Sequence, residues 1–254
     1  ARERGYVLYV EGGTDIDMLR ALAERIGHPV ANSRDERINS FYVQNNYPGL
    51  STESELERVE RGFGITPREH FRGLRNLISG LRGLAILDND GRSRTEITDD
   101  ALRIVYWKRY EAENYFVTPE VLGRYARSRY ADMDLFGGFE KEIQEVLDAV
   151  VLDKVFDAVR ADFDAWKSLP ADSARVLWEA KTERRKLSDF AETFFRQLAD
   201  RLGGQMLLRK GELHQLVAFA EKKSIPTEVS EKLDMLTQLF RSAEEVPEDS
   251  ISER

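Results

Sequence analysis

Five apolar residues in a row, Tyr6–Val10 (YVLYV), form the pattern of a strand covered on both faces. EGGTD turns the chain at two glycines. Ile16, Leu19, Leu22, Ala23 and Ile26 then recur at helical spacing up to Gly27, so the opening reads strand–turn–helix. INSFYVQ (Ile38–Gln44) is a second strand candidate, and the polar, irregular stretch Asn45–Gly64 is expected to be a mobile loop. PREHFRGLRNLISGL predicts a helix opened by Pro67, and GLAILDNDG predicts a third strand. ALRIVYWKRYEAENYF predicts a fourth strand, followed by a helix in TPEVLGRYARSRY with Thr118 as cap and Pro119 as first helical residue.

Strands alternating with helices through Tyr130 indicate an α/β unit built on a mostly parallel sheet flanked by helices. The pattern then changes. From Phe139 to Leu202 apolar residues recur every three or four positions (Ile143, Val146, Leu147, Val150, then Val155, Phe156, Val159, Phe163) with no strand signal. Pro170 separates these from a second helical block, Ala174–Leu202, so this stretch reads as an all-helical subdomain. MLLRKGELHQLVAFAEKK could return to the sheet as a short strand, Met206–Leu208, plus a helix. The expected division is therefore 1–138 as the α/β domain, 139–204 as the helical subdomain, 205–241 as the return segment, and 242–254 as an acidic, disordered tail. No internal repeat is visible.

Composition narrows the chemistry. With 41% hydrophobic and 33% charged residues among 254, the chain has the balance of a soluble globular protein. No stretch reaches the ~18 apolar residues of a membrane span. There is no cysteine, so disulfides, thiolate metal sites and cysteine nucleophiles are excluded, which fits a cytoplasmic protein. His28, His70 and His214 lie too far apart to suggest a histidine-rich zinc site. The net charge of −8 lowers the expectation of nucleic-acid binding only mildly, because cations bound at a carboxylate centre would offset it. The chain opens almost directly on a strand, and we expect it to be a fragment of a longer protein.

The acids are the informative residues. Asp88 and Asp90 close the third strand, where residues i and i+2 share a face. Two such carboxylates repel unless a cation lies between them, although Asn89, Asp90 and Gly91 could equally form a turn. Glu11 ends the first strand, as a ligand or as a solvated strand end. Asp15 could cap the next helix, though Thr14 can do so too. Glu111 and Glu113 form a second i, i+2 pair at the end of the aromatic fourth strand, or a charged edge beside Lys108 and Arg109. Open α/β sheets place their sites at the carboxyl ends of strands. Six acids converging there without histidine or cysteine describe a hard-cation site, suited to Mg²⁺ or Mn²⁺. Two such ions ~4 Å apart could hold the attacking water and the leaving oxygen of a phosphodiester.

VEGGTD and LDNDG together resemble the Toprim fold, which has a glutamate after its first strand and D-x-D after a later one. YEAENYFVTPEVL, with the helical region beyond it, is closer to the OLD-family nucleases (overcoming lysogenization defect), ATPase–Toprim proteins of bacteria and phage, and to their second class. The resemblance covers Tyr6–Tyr130 and extends loosely into the helical part. It implies Mg²⁺- or Mn²⁺-dependent cleavage of DNA by two ions, with Glu11, Asp15, Asp88, Asp90, Glu111 and Glu113 as ligands. Glu11 and Asp88 would be central to catalysis. A late lysine that stabilises charge at the cut phosphate matches Lys210 in LLRKGELHQL. Relatives carry an amino-terminal ATPase domain. This chain has no G-x-x-x-x-G-K-[ST] loop, so the ATPase, and a homodimer formed through it, would belong to the rest of the protein.

For DNA contacts the sequence offers Arg92 and Arg94 beyond the aspartates, and Lys181, Arg184, Arg185 and Lys186 in KTERRK; the latter also fit a solvated helix face. Tyr42, Tyr47 and Phe63 could stack on bases or simply pack. Two rivals stay open. A haloacid dehalogenase-type phosphatase uses D-x-D, but on its first strand, and would leave Glu11, Glu111 and Glu113 idle. A non-catalytic, metal-stabilised DNA-binding or regulatory module would need no complete acidic set.

Overall fold

The computed structural model describes residues 5–32, 40–42, 66–130 and 138–244. The expected loop 45–64, with Tyr47 and Phe63, and the tail from 245 onward lie outside the described residues. Contacts divide the chain into two compact units. One comprises Ala1–Asp88, Ser93–Trp107 and Thr227–Arg254; the other comprises Asn89–Arg92 and Lys108–Pro226. These boundaries differ from the expected ones at 138, 204 and 241.

The first unit is an α/β sheet unit. Strands β1 (Tyr6–Val10), β2 (Ser40–Tyr42), β3 (Arg82–Leu87), β4 (Ile97–Asp99) and β5 (Leu102–Tyr106) form one sheet in the order β2-β1-β3-β5-β4. All neighbours are parallel except β4, which pairs antiparallel with β5. The sheet is therefore mostly parallel, as the alternation of strands and helices predicts. β4 was not expected: three residues between the polar Arg92–Glu96 stretch and the Asp100 turn carry too short a pattern to read.

Helices cover both faces. Helix α1 (Gly13–Ile26) packs against the last helix, α8 (Thr227–Glu244), and α8 lies on β1 and β3. On that face the Tyr6 ring meets Phe240, centroids 5.1 Å apart. The opposite face gathers Val7, Tyr9, Ala85, Leu87 and Ile104 around Phe71 of helix α2 (Pro67–Arg75). Thr66 caps α2 reciprocally with Glu69, and Pro67 occupies the first turn. Alternate residues of β1 thus serve opposite faces, both buried, which accounts for the unbroken apolar run. Tyr9 is fully buried, with its hydroxyl 3.0 Å from His70 Nδ1. Burial pushes the Tyr9 phenol up and the His70 imidazole down. The carboxyl-terminal helix is tied in by His28 Nε2 to Asp234 Oδ1 (3.1 Å) and by buried Lys232 to Glu96 (3.1 Å). The expected tail from 242 is helical through Glu244.

The second unit is helical: α3 (Pro119–Tyr130), α4 (Gly138–Lys154), α5 (Arg160–Lys167), α6 (Ala171–Thr182) and α7 (Leu187–Leu202), with short 3₁₀ segments at Ala112–Tyr115, Lys210–Phe219 and Lys222–Ser224. Helix α4 packs between α3 and α7, and Phe156, Phe163, Trp166, Trp178 and Phe190 form a chain of ring contacts through the unit. Two expected strands are corrected here. The fourth strand stops at Tyr106 rather than running to Phe116, because Tyr115 and Phe116 are buried in the helical unit. Met206–Leu208 forms no strand and belongs to the helical unit, where Lys210–Phe219 packs against α3 and α7. Among the described residues no helix is long and apolar enough to cross a membrane.

Candidate functional site

In the sheet unit the chain runs from β1 outward to β2, then crosses back past β1 to β3 on its other side. The carboxyl ends of β1 and β3 therefore flank the point where strand order reverses, the usual place for a site in an open α/β sheet. Glu11 directly follows β1 and Asp88 directly follows β3. The Asp88 backbone N–H donates to Glu11 Oε1 at 3.1 Å, so the structure brings these two acids to adjacent strand ends. Both are half-buried.

Asp15 is spent mainly on the helix. Its Oδ2 accepts from the backbone N–H groups of Glu11 (2.8 Å) and Gly12 (3.0 Å) at the start of α1. The cap reading of this residue is thus realised, while Oδ1 takes no part in the cap. Burial raises its carboxyl pKa, against the pull of the two backbone bonds.

Asp88 and Asp90 do not share a strand face. β3 ends at Leu87, Asp90 has φ 55° and Gly91 has φ 70°, and the Arg92 N–H closes the turn on the Asn89 carbonyl at 3.1 Å. Two successive left-handed residues are the signature of a type I′ turn, which aspartate and glycine accommodate. The i, i+2 argument fails because it needs an extended backbone that this turn replaces. The turn belongs to the helical unit, where the Asn89 and Asp90 N–H groups both donate to the Tyr110 carbonyl (3.1 and 3.0 Å).

Glu111 and Glu113 likewise follow a strand only at a distance, on the 3₁₀ turn after β5. Glu111 is 3% exposed. Its Oε1 accepts the Ser188 N–H at 2.5 Å and its Oε2 accepts the Ser188 hydroxyl at 3.0 Å. Ser188 sits in the first turn of α7, so Glu111 satisfies a helix-start donor from 77 positions away. Burial raises the Glu111 pKa, opposed by Ser188 and by the charges of Lys186 and Lys210. Glu113 is half-buried. Asp90 and Glu111 lie in one electrostatic neighbourhood: the Tyr110 phenol is raised first by burial, then by the charges of Asp90, Glu111 and Asp189. Lys210 Nζ donates to Asp189 Oδ1 at 2.7 Å. Partial burial works against the charge on Lys186, but Glu111, Asp189 and Asp90 outweigh it and hold its pKa above the ordinary lysine value.

The six expected ligands are thus divided, with Glu11, Asp15 and Asp88 in the sheet unit and Asp90, Glu111 and Glu113 in the helical unit. Among the described residues no three histidine or carboxylate side chains are gathered as a ready metal cage. The hard oxygen donors of Glu11 and Asp88 fit Mg²⁺ or Mn²⁺ in kind.

The basic residues separate by what they already hold. Arg94 lies over the Tyr106 ring, 5.0 Å from its centroid. Arg92 and Arg184 are exposed. Lys181 lies over Phe156 (5.0 Å) and 3.8 Å from Asp162. Arg185 forks onto Asp157 (3.0 and 2.7 Å) and also donates to the carbonyls of Lys154 and Lys181. Sequence reasoning missed Tyr110, Ser188 and Asp189. The pair Ser188–Asp189 before an apolar run signals a helix start, but nothing local reveals the distant carboxylate that Ser188 binds. In comparisons with known proteins, no family model matches the chain and no curated protein matches it.

Proposed function

We propose that this chain is the nuclease part of an ATPase–Toprim protein of the OLD family, a metal-dependent endonuclease that cleaves DNA phosphodiesters in the cytoplasm. The observation that carries the reading is the placement of Glu11 and Asp88 at adjacent carboxyl ends flanking the switch point of a mostly parallel sheet. Glu11 and Asp88 would hold Mg²⁺ or Mn²⁺, with the second oxygen of Asp15 in reserve beside them. Of the two ions the reading calls for, one would lower the pKa of a bound water and the other would neutralise the leaving oxygen. The main-chain bond from Asp88 to Glu11 orients the glutamate before any ligand arrives. Asp90, Glu111, Glu113 and Lys210 enter the proposal through the resemblance, the first three as further ligands of the two-ion site and Lys210 as the cation for charge at the cut phosphate.

The test is incubation of the protein with supercoiled plasmid and Mg²⁺ or Mn²⁺. The wild type nicks the plasmid, and Asp88→Ala slows nicking by on the order of 10²-fold or more, the scale of several kcal/mol of lost charge stabilisation. Retention of DNA without cutting would replace the proposal with a binding module. Hydrolysis of p-nitrophenyl phosphate alone would replace it with a phosphatase.

A further inference from the structure

We propose that a cleft of the helical unit, beside the start of α7, seats a backbone phosphate of a nucleic-acid strand, and that Lys186 is the side chain that pairs with it. The inference rests on the nuclease reading only in taking DNA as the partner. The cleft has a volume of about 410 Å³ and is lined by Lys154 and Val155, by Arg185 and Lys186, and by Asp189 and Phe190 among the first turns of α7. That is room for a phosphate with its sugar. Its rim residues Lys154, Lys186 and Asp189 are exposed, and its floor residues Val155 and Phe190 are buried. The Phe190 ring is 4% exposed and packs on Trp178, so it offers no face on which a base could stack. The cleft therefore suits the backbone of a strand rather than its bases.

The lining cations are not equivalent. Arg185 is consumed by Asp157 and two carbonyls, and it binds the end of α4 to the turn before α7. Lys154 pairs with its neighbour Asp153 at 2.9 Å. The single lining carboxylate, Asp189, already holds Lys210. Lys186 has no carboxylate partner within salt-bridge distance among the described residues; Glu111, Asp189 and Asp90 attract its ammonium from farther off and keep it charged, so it can take a phosphate without breaking a close ion pair. The dipole of the 16-residue helix that follows adds to the attraction.

The experiment measures fluorescence anisotropy of a labelled 20-base-pair duplex against salt, in EDTA so that nothing is cut. One phosphate contact contributes about 0.9 to the slope of log K against log salt. Lys186→Ala lowers the slope by that amount and weakens binding; Lys186→Arg restores both. Arg185→Ala leaves the slope unchanged and lowers the thermal midpoint instead. Should Lys186→Ala unfold, Lys186→Gln takes its place. An unchanged slope in the alanine or glutamine variant, an equal loss in Arg185→Ala, or no duplex binding by the wild type overturns the proposal. A wild type that binds with this slope but never cuts in Mg²⁺ or Mn²⁺ would sink the nuclease reading alone. One that cuts while the Lys186 variants bind normally would sink the cleft alone.

Discussion

Removing the Glu111 carboxylate should unpin α7, and the size of the effect can be worked from its bonds. Both donors of Ser188, which is itself fully buried, end on this side chain. In Glu111→Ala the Ser188 N–H has no partner in the first turn of a helix, a loss of ~1–3 kcal/mol. The variant should be less stable by about 1–3 kcal/mol, which lowers the thermal midpoint by roughly 2–12 °C in a chain of this size. Glu111→Gln keeps an acceptor for the N–H and can donate to the hydroxyl, so it should stay within ~1 kcal/mol of wild type. The pH dependence has a definite sign. Burial raises the Glu111 pKa, so its contribution is fully present below the ordinary glutamic acid value and is lost as pH rises through the folded value. At pH 8 the glutamine variant should therefore match or exceed the wild type, and at pH 4 it should fall behind. Urea unfolding at the two pH values, followed by the fluorescence of buried Trp166 and Trp178, measures this. Equal instability of both variants at pH 8, or an alanine variant as stable as wild type, would refute the capping argument. The same proteins test the ligand role. If Glu111 binds an essential cation, both lose plasmid nicking, whereas a purely capping residue leaves nicking intact in Glu111→Gln.

Glu96→Ala should cost about 1–2 kcal/mol, because it strands the Lys232 ammonium, which is 3% exposed; the figure is reduced from the ~3–5 kcal/mol of a fully buried pair since Glu96 itself is half-exposed. Burial tends to raise the Glu96 pKa, but Lys232 and Arg103 prevail and lower it, so its stabilisation holds above the ordinary carboxylate value and is lost as pH falls through the folded one; acid titration of Glu96→Gln should lack that slope. Gly83→Ala would place a Cβ 2.7 Å from Leu102 Cδ1 and Phe71 Cε2, and overpacking there should cost ~1–3 kcal/mol, with part recovered on adding Leu102→Val, read by thermal midpoints.

What the sequence made legible is what period and burial control. β1 and β3 are continuous apolar runs because both of their faces are covered, and a parallel sheet follows from the helices between them. Thr66, Pro67 and Glu69 announce the start of α2 through local chemistry. The failures have a common cause. In WKRYEAENYF aromatic residues suggest a strand, yet Tyr115 and Phe116 are buried within the helical unit at a 3₁₀ turn, which no local pattern encodes. D-x-D was read with the strand period carried past Leu87 to Asp90, three residues too far, while N-D-G already named the turn that ends it. Glu111 looked like a strand-end acid because its partner Ser188 is distant in sequence. The capping role of Asp15 was legible, and the structure realises it alongside any role in binding a cation.

The bond between the Asp88 N–H and Glu11 has a consequence for how the site can be dissected. Neighbouring strands lie ~4.8 Å apart, and once the ladder ends their main-chain donors need other partners. Glu11 reaches one of them with a two-methylene side chain, a span that aspartate at the same position would not cover. Because the donor is backbone, truncating the side chain of Asp88 leaves the anchor of Glu11 in place. Loss of cleavage in Asp88→Ala would then report the missing carboxylate itself rather than a displaced neighbour. A switch-point carboxylate held by main chain is oriented by the fold, so its geometry survives changes in the side chains around it.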